Sequence, residues 1–427
     1  MTAATPDPRG PLCIVYNAGE LVVGPVDDTA DTAPADDART DGPLEIREDA
    51  AFAAINGEVV AVGPTDEITR AYPPDNAATA IDADGNAVVP GFVDPHTHAL
   101  FAGDRSDEFA AKVRGRSYQE ILAEGGGILR TVRAVHDASD DDLLANLRSH
   151  LDVMLAHGTT TVEVKSGYGL EAETELRLLE TIDRAAAKHP ITLVPTFMGA
   201  HAVPADTDTE DYVDRVISDQ LPAVADQGIA EFCDVFCEAD VFDVDQSQRV
   251  LKAGAAAGLT PKIHAEEFTR LGGAQLAAEL EAASADHLLH ATAEDVAALV
   301  EAAVVPVLLP GTAFGLGAAY ADARAFLEAG ASVALATDFN PNCHVRTMEF
   351  VQTLAVMKMD LTPAEALLAA TRNAALAIDR DDGTGTLREG APADAAVLAA
   401  PSYVHLAYRF DTTAIETVVK NGREVGT

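Results

Sequence analysis

The chain has 427 residues, 69 of them acidic and 29 basic, which gives a formal net charge of −40. This charge argues against nucleic acid and anionic membranes as partners, because both bind clustered Lys and Arg. With 48% hydrophobic residues the chain can bury a large core, which excludes an acidic disordered protein.

Lysine is scarce in this sequence. Only seven occur, so arginine carries most of the positive charge. Excess acid with little lysine predicts a protein from an organism that accumulates salt, the alternative being an acidic protein from an ordinary mesophile. At molar salt the Debye length is about 3 Å, so repulsion between surface carboxylates is weak.

The cysteines and the N-terminus indicate a cytoplasmic protein. Cys13, Cys233, Cys237 and Cys343 are too few and too scattered for a disulfide framework in a chain of this length. Residues 1–10 lack the apolar core of a signal peptide, and no run of about 18 apolar residues could span a bilayer.

The first 63 residues are predicted to form short strands. Residues 12–16 are apolar, and residues 51–55 run through Asn56-Gly57 into residues 59–62, which is a strong hairpin signal. Residues 25–42 are rich in Asp, Ala, Thr and Pro and are predicted to form an exposed acidic loop.

The last 47 residues resemble the first part in pattern. Residues 395–398 and 415–420 are strand-like, and Asn421-Gly422 provides another turn. Residues 1–87 and 381–427 are therefore predicted to build one small β-sandwich domain, with residues 88–380 inserted into it.

The middle of the chain alternates short apolar strands with helical stretches. Eight β-then-α units over about 260 residues predict an α/β fold, a (β/α)₈ TIM barrel. A doubly wound open sheet is the alternative, but no G-x-G-x-x-G follows the first strand. The predicted barrel strands are residues 88–93, 160–164, 192–196, 232–236, 262–264, 285–288, 304–308 and 333–336.

Polar side chains follow several of these strands at their carboxyl ends, where barrel enzymes place their functional groups. His96 and His98 are one residue apart after the first strand, so in extended backbone they point to the same side. His264, His287 and Asp338 end the fifth, sixth and eighth strands. An imidazole-rich set with one carboxylate suits Zn²⁺ or Fe²⁺ rather than Mg²⁺ or Ca²⁺.

These residues, in this strand order, resemble the amidohydrolase superfamily, metal hydrolases on a (β/α)₈ barrel with a flanking β-sandwich. Within it the chain is similar to the imidazolonepropionases. The His-x-His pair marks only the superfamily, whereas the segments Lys-Ser-Gly-Tyr-Gly-Leu at 165–170 and Phe-Met-Gly-Ala-His at 197–201 are more specific.

The resemblance implies a site for one divalent or trivalent ion, Zn or Fe. Strand four, residues 232–238, has no lysine that could bridge two metals. The implied metal ligands are His96, His98, His264 and Asp338, and the groups implied in proton transfer are Glu267, His287 and Asp338. The implied substrate and product contacts are Arg105, Tyr168, His201, Glu267, Asn340, Asn342 and Cys343.

The reaction that the resemblance implies is hydrolysis of the cyclic amide C–N bond of 4-imidazolone-5-propanoate to N-formimidoyl-L-glutamate. Arg105 suits the propanoate carboxylate, although it could instead pair with Asp104 or Asp107 at the surface. The alternatives are another amidohydrolase, such as a deaminase of a purine- or pyrimidine-type ring, and a barrel that has lost catalysis. We also expect a homodimer.

Two departures from the family pattern affect the expected site. Glu266 stands before Glu267 where the family has a shorter Asp, and Asn342-Cys343 stand where it commonly has Gly-Ser. If product contacts use backbone N–H groups at 342 and 343, the change is tolerable. If they need a serine hydroxyl, product handling changes.

Overall fold

The computed structural model of this chain describes residues 10–26, 38–116, 120, 125–205 and 207–425. Two compact units share the chain. One comprises Met1–Asp94, Val153–Thr161 and Thr347–Thr427, and the other comprises Pro95–Asp152 and Val162–Arg346. The domain boundaries expected after residues 87 and 380 stay predictions.

The described strands form two sheets. In chain order they are β1 (Leu12–Pro25), β2 (Ala38–Asp41), β3 (Leu44–Ile55), β4 (Glu58–Pro64), β5 (Thr79–Asp82), β6 (Ala87–Pro90), β7 (Phe92–Asp94), β8 (Thr159–Lys165), β9 (Thr192–Ala200), β10 (Phe232–Cys237), β11 (Thr260–Ala265), β12 (Ser284–His287), β13 (Val305–Leu308), β14 (Ala334–Leu335), β15 (Ala395–Leu398), β16 (Ile415–Lys420) and β17 (Arg423–Val425).

The described α-helices are mostly short. They are α1 (Thr65–Ala71), α2 (Ser106–Val113), α3 (Ile128–Asp137), α4 (Asp140–Ala156), α5 (Ala172–Ala186), α6 (Thr209–Arg215), α7 (Leu221–Gln227), α8 (Val244–Ala256), α9 (Gly273–Glu279), α10 (Ala293–Glu301), α11 (Pro310–Leu316), α12 (Ala323–Glu328), α13 (Met348–Lys358), α14 (Pro363–Ala369), α15 (Arg372–Leu376) and α16 (His405–Tyr408). In the part of the chain described, no helix is long and apolar enough to cross a membrane.

Both ends of the chain contribute to one mixed sheet, as predicted. Its order is β17-β16-β15-β6-β1-β3-β2, with β4 on β3 and β5 on β1. Alternate residues of β1 bury opposite faces: Cys13 and Val15 join one apolar cluster, and Ile14 joins the other. This alternation is the period-two pattern of a strand that is covered on both sides.

The two predicted Asn-Gly turns are confirmed. Asn56 and Gly57 have φ of 57° and 84° and join β3 to β4. Asn421 and Gly422 have φ of 49° and 68° and join β16 to β17. Left-handed backbone at both central positions is what a tight hairpin turn requires, and Asn and Gly tolerate it.

The predicted barrel is confirmed as an eight-stranded sheet in which each strand neighbours the next in sequence, from β7 to β14. The first and last strands meet just beyond their ends. Thr97 and Phe339 form a parallel bridge, and the Asp338 N–H donates to the His96 carbonyl at 3.1 Å. We call the end of the barrel where the carboxyl ends of these strands lie the barrel mouth.

The first predicted barrel strand, residues 88–93, divides at Gly91. Ala87–Pro90 pairs antiparallel with β15 in the mixed sheet, and Phe92–Asp94 belongs to the barrel. A Cβ atom at Gly91 would lie 2.4 Å from Thr160 Oγ1, so the backbone passes Thr160 at a distance that only glycine permits.

The predicted acidic loop, residues 25–42, is only partly described. Residues 27–37 lie outside the described residues. Ala38–Asp41 form a strand that pairs antiparallel with β3 rather than a loop, and Gly42 makes the turn with φ of 58°. Pairing with β3 therefore overrides the loop-like composition of this stretch.

Candidate metal centre and active site

Five predicted groups meet at the barrel mouth. His96 and His98 follow β7, His264 and His287 lie in β11 and β12, and Asp338 follows β14. All five side chains are buried. Because each comes from the carboxyl end of its strand, closing the barrel brings them together.

The donor atoms of these groups lie close to one another. Asp338 Oδ1 is 3.6 Å from His96 Nε2 and 3.6 Å from His98 Nε2. His98 Nε2 is 3.2 Å from His264 Nε2. The ligand atoms of His96, His264 and His287 also lie within 4.8 Å of one another.

Two further carboxylates set the orientation of the imidazoles. His96 Nδ1 donates to Asp286 Oδ2 at 2.6 Å, and His264 Nδ1 donates to Asp234 Oδ1 at 3.0 Å. Each hydrogen bond places the ring proton on Nδ1 and leaves the Nε2 lone pair facing the other donors, as in metal-binding histidines.

The buried nitrogens fit a cation. His96 Nε2 and both ring nitrogens of His287 are buried and have no hydrogen-bond partner among the described residues. Burial lowers the pKa values of His96, His98 and His287 well below the ordinary range, and the charge of Lys165 or neighbouring imidazoles lowers them further. Neutral imidazoles with open lone pairs beside a carboxylate are a suitable donor set for Zn²⁺ or Fe²⁺.

A buried lysine lies behind the histidines and was not assigned a role from the sequence. Lys165 Nζ is 2.8 Å from Glu163 Oε1 and 2.7 Å from Asp234 Oδ2. All three side chains are fully buried. Lys165 therefore balances the carboxylate that orients His264.

Asp286 has a comparable lysine neighbour. Lys262 Nζ lies 3.8 Å from Asp286 Oδ2 and donates to Ser284 Oγ at 2.6 Å. A sequence signal for both lysines existed: each lies within a predicted barrel strand or directly after one, in a chain with only seven lysines. Their partners come from neighbouring strands, so the pairing itself needs the barrel.

Tyr168 and His201 are brought to the same site. The His201 ring stacks on the His98 ring with centroids 4.7 Å apart, and the Tyr168 ring centroid is 5.2 Å from that of His201. His201 Nδ1 donates to the Gly167 carbonyl at 3.0 Å. Burial, followed by the charge of His264, lowers the pKa of His201 to about 3, so its ring is neutral.

A buried carboxylate fixes the loop that carries Tyr168. Glu175, in the first turn of α5, accepts the N–H groups of Gly167, Gly169 and Leu170 at 2.8, 2.8 and 2.9 Å. The Gly167 carbonyl also holds His201, so one loop positions both side chains.

Arg105 is buried at the start of α2, and it pairs with neither Asp104 nor Asp107, which were the alternatives to a substrate carboxylate. Its Nε donates to Glu108 Oε2 at 2.9 Å. Asp104 instead binds Ser106, and Asp107 takes Arg130 at 2.8 Å. With one guanidinium edge on Glu108, the terminal nitrogens have no hydrogen-bond partner among the described residues.

Glu267 is a buried carboxyl beside the histidines. Its Oε2 lies 3.7 Å from His287 Nε2. Burial raises its pKa well above the ordinary value, and the charge of Asp338 raises it further. Burial also raises the pKa of Asp338 to about 6, while a hydrogen bond from Thr312 Oγ1 opposes that shift. A carboxyl in this position can hold a proton near neutral pH.

The longer Glu266 fits without entering the donor set. Its carboxylate accepts the N–H groups of Leu271 at 2.8 Å, Gly272 at 2.9 Å and Ala274 at 3.2 Å. Glu266 thus caps the start of α9, and its extra methylene is used there.

The turn after Asp338 is closed by its own hydrogen bonds. Asn340 Oδ1 accepts the N–H groups of Asn342 at 2.7 Å and Cys343 at 3.0 Å, and Asn340 Nδ2 donates to the Asp338 carbonyl at 2.8 Å. Burial and the charge of Asp338 raise the pKa of Cys343 to about 12, and its Sγ lies 3.7 Å from the Thr337 carbonyl oxygen.

Residues 87–425 match the amidohydrolase family. An imidazolonepropionase of Haloarcula marismortui is 66% identical over 97% of this chain and 96% of its own length. One from Halobacterium salinarum is 62% identical over 96% of both. One from Symbiobacterium thermophilum is 51% identical over 87% of this chain and 89% of its own.

Solved structures resemble this chain in fold. An adenosine deaminase from Xanthomonas campestris with bound zinc has a TM-score of 0.72 and 18% identity, covering 98% of this chain and 93% of its own. An E. coli guanine deaminase has a TM-score of 0.70 and 16% identity, covering 97% and 99%. At this identity the likeness concerns the fold alone.

Proposed function

This chain belongs to the imidazolonepropionase family of the amidohydrolases, and from that premise we propose how its barrel mouth hydrolyses the cyclic amide of 4-imidazolone-5-propanoate. The observation that carries the proposal is the convergence of His96, His98, His264 and Asp338 beside the protonatable Glu267. The product is N-formimidoyl-L-glutamate.

His96, His98, His264 and Asp338 would hold one Zn or Fe ion. A bound Zn²⁺ or Fe²⁺ supplies a Lewis acid that lowers the pKa of water from about 15.7 towards 7. Strand β10 offers Asp234 rather than a lysine, and that carboxylate is engaged by His264 and Lys165. This arrangement supports a single ion.

The substrate is held by charge at one end and by hydrogen bonds at the other. The terminal nitrogens of Arg105 take the propanoate carboxylate in two parallel bonds. Tyr168 and the neutral His201 hold the polar atoms of the ring. Asn340, Asn342 and Cys343 line the product side of the site.

Proton transfer is assigned to the buried acids. Asp338 or His287 accepts a proton from the attacking water, and Glu267, whose pKa is raised by burial, donates a proton from its carboxyl to the departing ring nitrogen. As that C–N bond breaks, the nitrogen leaves with the proton and the carbonyl carbon becomes a carboxylate. Burial of the site excludes bulk water from competing for these protons.

The deaminase alternative has no comparable support. Structures of deaminases share the fold with this chain at 16–18% identity, whereas imidazolonepropionases share 51–66% of its residues over most of their length. A neutral base would also leave the terminal nitrogens of Arg105 without an anion to bind, since Glu108 takes only its Nε.

The test is direct. The chain is purified in molar salt and loaded with Zn²⁺ or Fe²⁺, and the loss of imidazolonepropionate formed in situ from urocanate is followed. Turnover that is abolished by Glu267→Gln and unchanged by His405→Ala, a histidine of the mixed-sheet unit, supports the proposal. No turnover by the wild-type chain at full metal occupancy contradicts it.

We also propose that the chain works as a homodimer in the cytoplasm. Met357, Tyr408 and Phe410 are more than 60% exposed, which is unusual for large apolar side chains at a soluble surface. Sedimentation equilibrium in molar salt tests the dimer, and a monomer at micromolar concentration contradicts it.

A further inference from the structure

Lys112 contacts the turn that follows Asp338. It lies in the last turn of α2, is half-buried, and its Nζ donates to Asn342 Oδ1 at 2.6 Å. Lysine is rare in this chain, and acidic residues outnumber basic ones by 69 to 29. The residues around Lys112 should therefore explain why a half-buried lysine occurs at this position.

Hydrogen bonds connect Lys112 to the metal centre. Asn342 N–H donates to Asn340 Oδ1, and Asn340 Nδ2 donates to the carbonyl of Asp338. Lys112 thus lies one short turn away from a proposed metal ligand. The path runs through Asn342, one of the positions at which this chain departs from the family pattern.

Arg105, Glu108 and Lys112 are spaced i, i+3 and i+7 from the N-cap of α2, which places the two cations and one carboxylate on the same face of the helix. The Arg105 guanidinium pairs with Glu108, whereas Lys112 has no ion-pair partner among the described residues. Burial lowers the pKa of Lys112, and the charge of Arg105 lowers it further, while Glu108 opposes the shift. Glu108 also lies 3.6 Å from Arg130, which pairs with Asp107, so these three cations and two carboxylates carry one uncompensated positive charge around the half-buried Lys112.

A charge of this kind is costly to bury unless an anion joins it. The proposed substrate carries one carboxylate, whose negative charge would balance the one positive charge that is left uncompensated. A guanidinium fork fixes the plane of a carboxylate, and a lysine ammonium adds a point charge on a flexible side chain that can approach the same carboxylate.

We propose that Lys112 is the second cation of the carboxylate-binding site, acting with Arg105 on the propanoate tail. This inference rests on the proposed function. It gives the site two determinants for an anionic tail, and it assigns Asn342 the role of holding the lysine in place. A ligand with the same ring and no carboxylate gains nothing from either cation.

A matched pair of inhibitors tests the proposal: hydantoin-5-propanoate, a ring amide with the tail, and hydantoin, the same ring without it. In Lys112→Met the dissociation constant for the tailed compound, measured by isothermal titration calorimetry on the metal-loaded chain, rises about tenfold or more, because a hydrogen bond to a charged group is lost. The constant for hydantoin, the bound metal and kcat stay within twofold. Lys112→Arg keeps most of the affinity for the tail. Lys252→Met, at an exposed pair with Glu279, changes neither constant.

Asn342→Ala separates binding from positioning. It leaves the ammonium in place, so its effect on the tailed compound is smaller than that of Lys112→Met. The proposal would be overturned if Asn342→Ala and Lys112→Met weakened binding of the tailed compound equally, or if Lys112→Met weakened binding of both compounds equally. Either result would show that Lys112 only stabilises the turn after Asp338. Absence of turnover in the wild-type chain would instead refute the proposed function, which the inhibitor constants do not measure.

Discussion

The barrel mouth and the mixed sheet bury different chemistry. At the mouth, buried side chains include His96, Lys165 and Asp234, and each charged group has a partner of opposite sign or a hydrogen bond. The interior of the mixed sheet is a cluster of small and branched apolar residues such as Ala50 and Val419. Desolvated charges contribute little net stability, whereas apolar burial contributes about 25 cal/mol per Å². The mixed sheet therefore contributes mainly to the stability of the fold, whereas the barrel mouth holds the groups proposed to carry the reaction.

Removing a proposed ligand should give the largest effect and should be confined to the mouth. His264→Ala is expected to lose bound metal and to lower kcat/KM by at least about 10³-fold, since metal activation supplies several kcal/mol. Val419→Ala in the sheet is the contrast: it costs about 2 kcal/mol of unfolding free energy and leaves the activity of the folded chain unchanged. Metal analysis, kinetics and urea unfolding are measured for both variants. Full activity of His264→Ala would contradict the assignment of His264 as a metal ligand.

The two regions each contain a buried lysine–carboxylate pair, which allows a matched comparison. Lys165→Met leaves Asp234 and Glu163 without their cation. Lys420→Met does the same to Asp394, which lies 2.5 Å from Lys420 Nζ. Breaking a buried pair costs about 3 kcal/mol in either place. Only Lys165→Met should weaken metal binding, measured by titration with a chromogenic chelator. Equal metal affinity in the two variants would show that Lys165 is structural.

Asp286→Asn should weaken metal binding, and it should cost less unfolding free energy than the loss of a buried lysine in the preceding comparison. Asp286→Asn keeps the shape but removes the charge that holds the proton on His96 Nδ1. Loss of such a partner typically costs 10–100-fold in metal affinity, so about tenfold is expected. The chelator titration measures it, and an unchanged affinity would mean that the Nε2 lone pair of His96 is set by something else.

A pair away from both regions should give the smallest effect, which is present at neutral pH and shrinks in acid. Asp295 caps α10, and although burial raises its pKa, hydrogen bonds from Arg270, Gln275 and Thr292 lower it well below the ordinary value. A lowered folded-state pKa contributes stability that is present above the unfolded value of about 3.9 and is lost as the pH falls below it. Asp295→Asn should cost about 1 kcal/mol at pH 7 and clearly less at pH 2, in urea titrations at both pH values. The same loss at both pH values would contradict the assignment.

The same division explains what could be predicted from the sequence. The hairpins of the mixed sheet follow from local signals, since Asn56-Gly57 and Asn421-Gly422 specify their turns within two residues. The five groups of the mouth follow from one topological rule about strand ends. The roles of Lys165 and Asp234 do not, because each depends on partners from neighbouring strands. The break at Gly91 depends likewise on contact with Thr160.

The central claim is that one metal ion at the barrel mouth suffices for hydrolysis of imidazolonepropionate. Activity measured against bound metal, as Zn²⁺ or Fe²⁺ is added to the metal-free chain in molar salt, tests it most directly. We expect no turnover without metal, a linear rise in turnover with bound metal, and saturation at one ion per chain. Turnover by the metal-free chain, or a rise that continues to two ions, would contradict it.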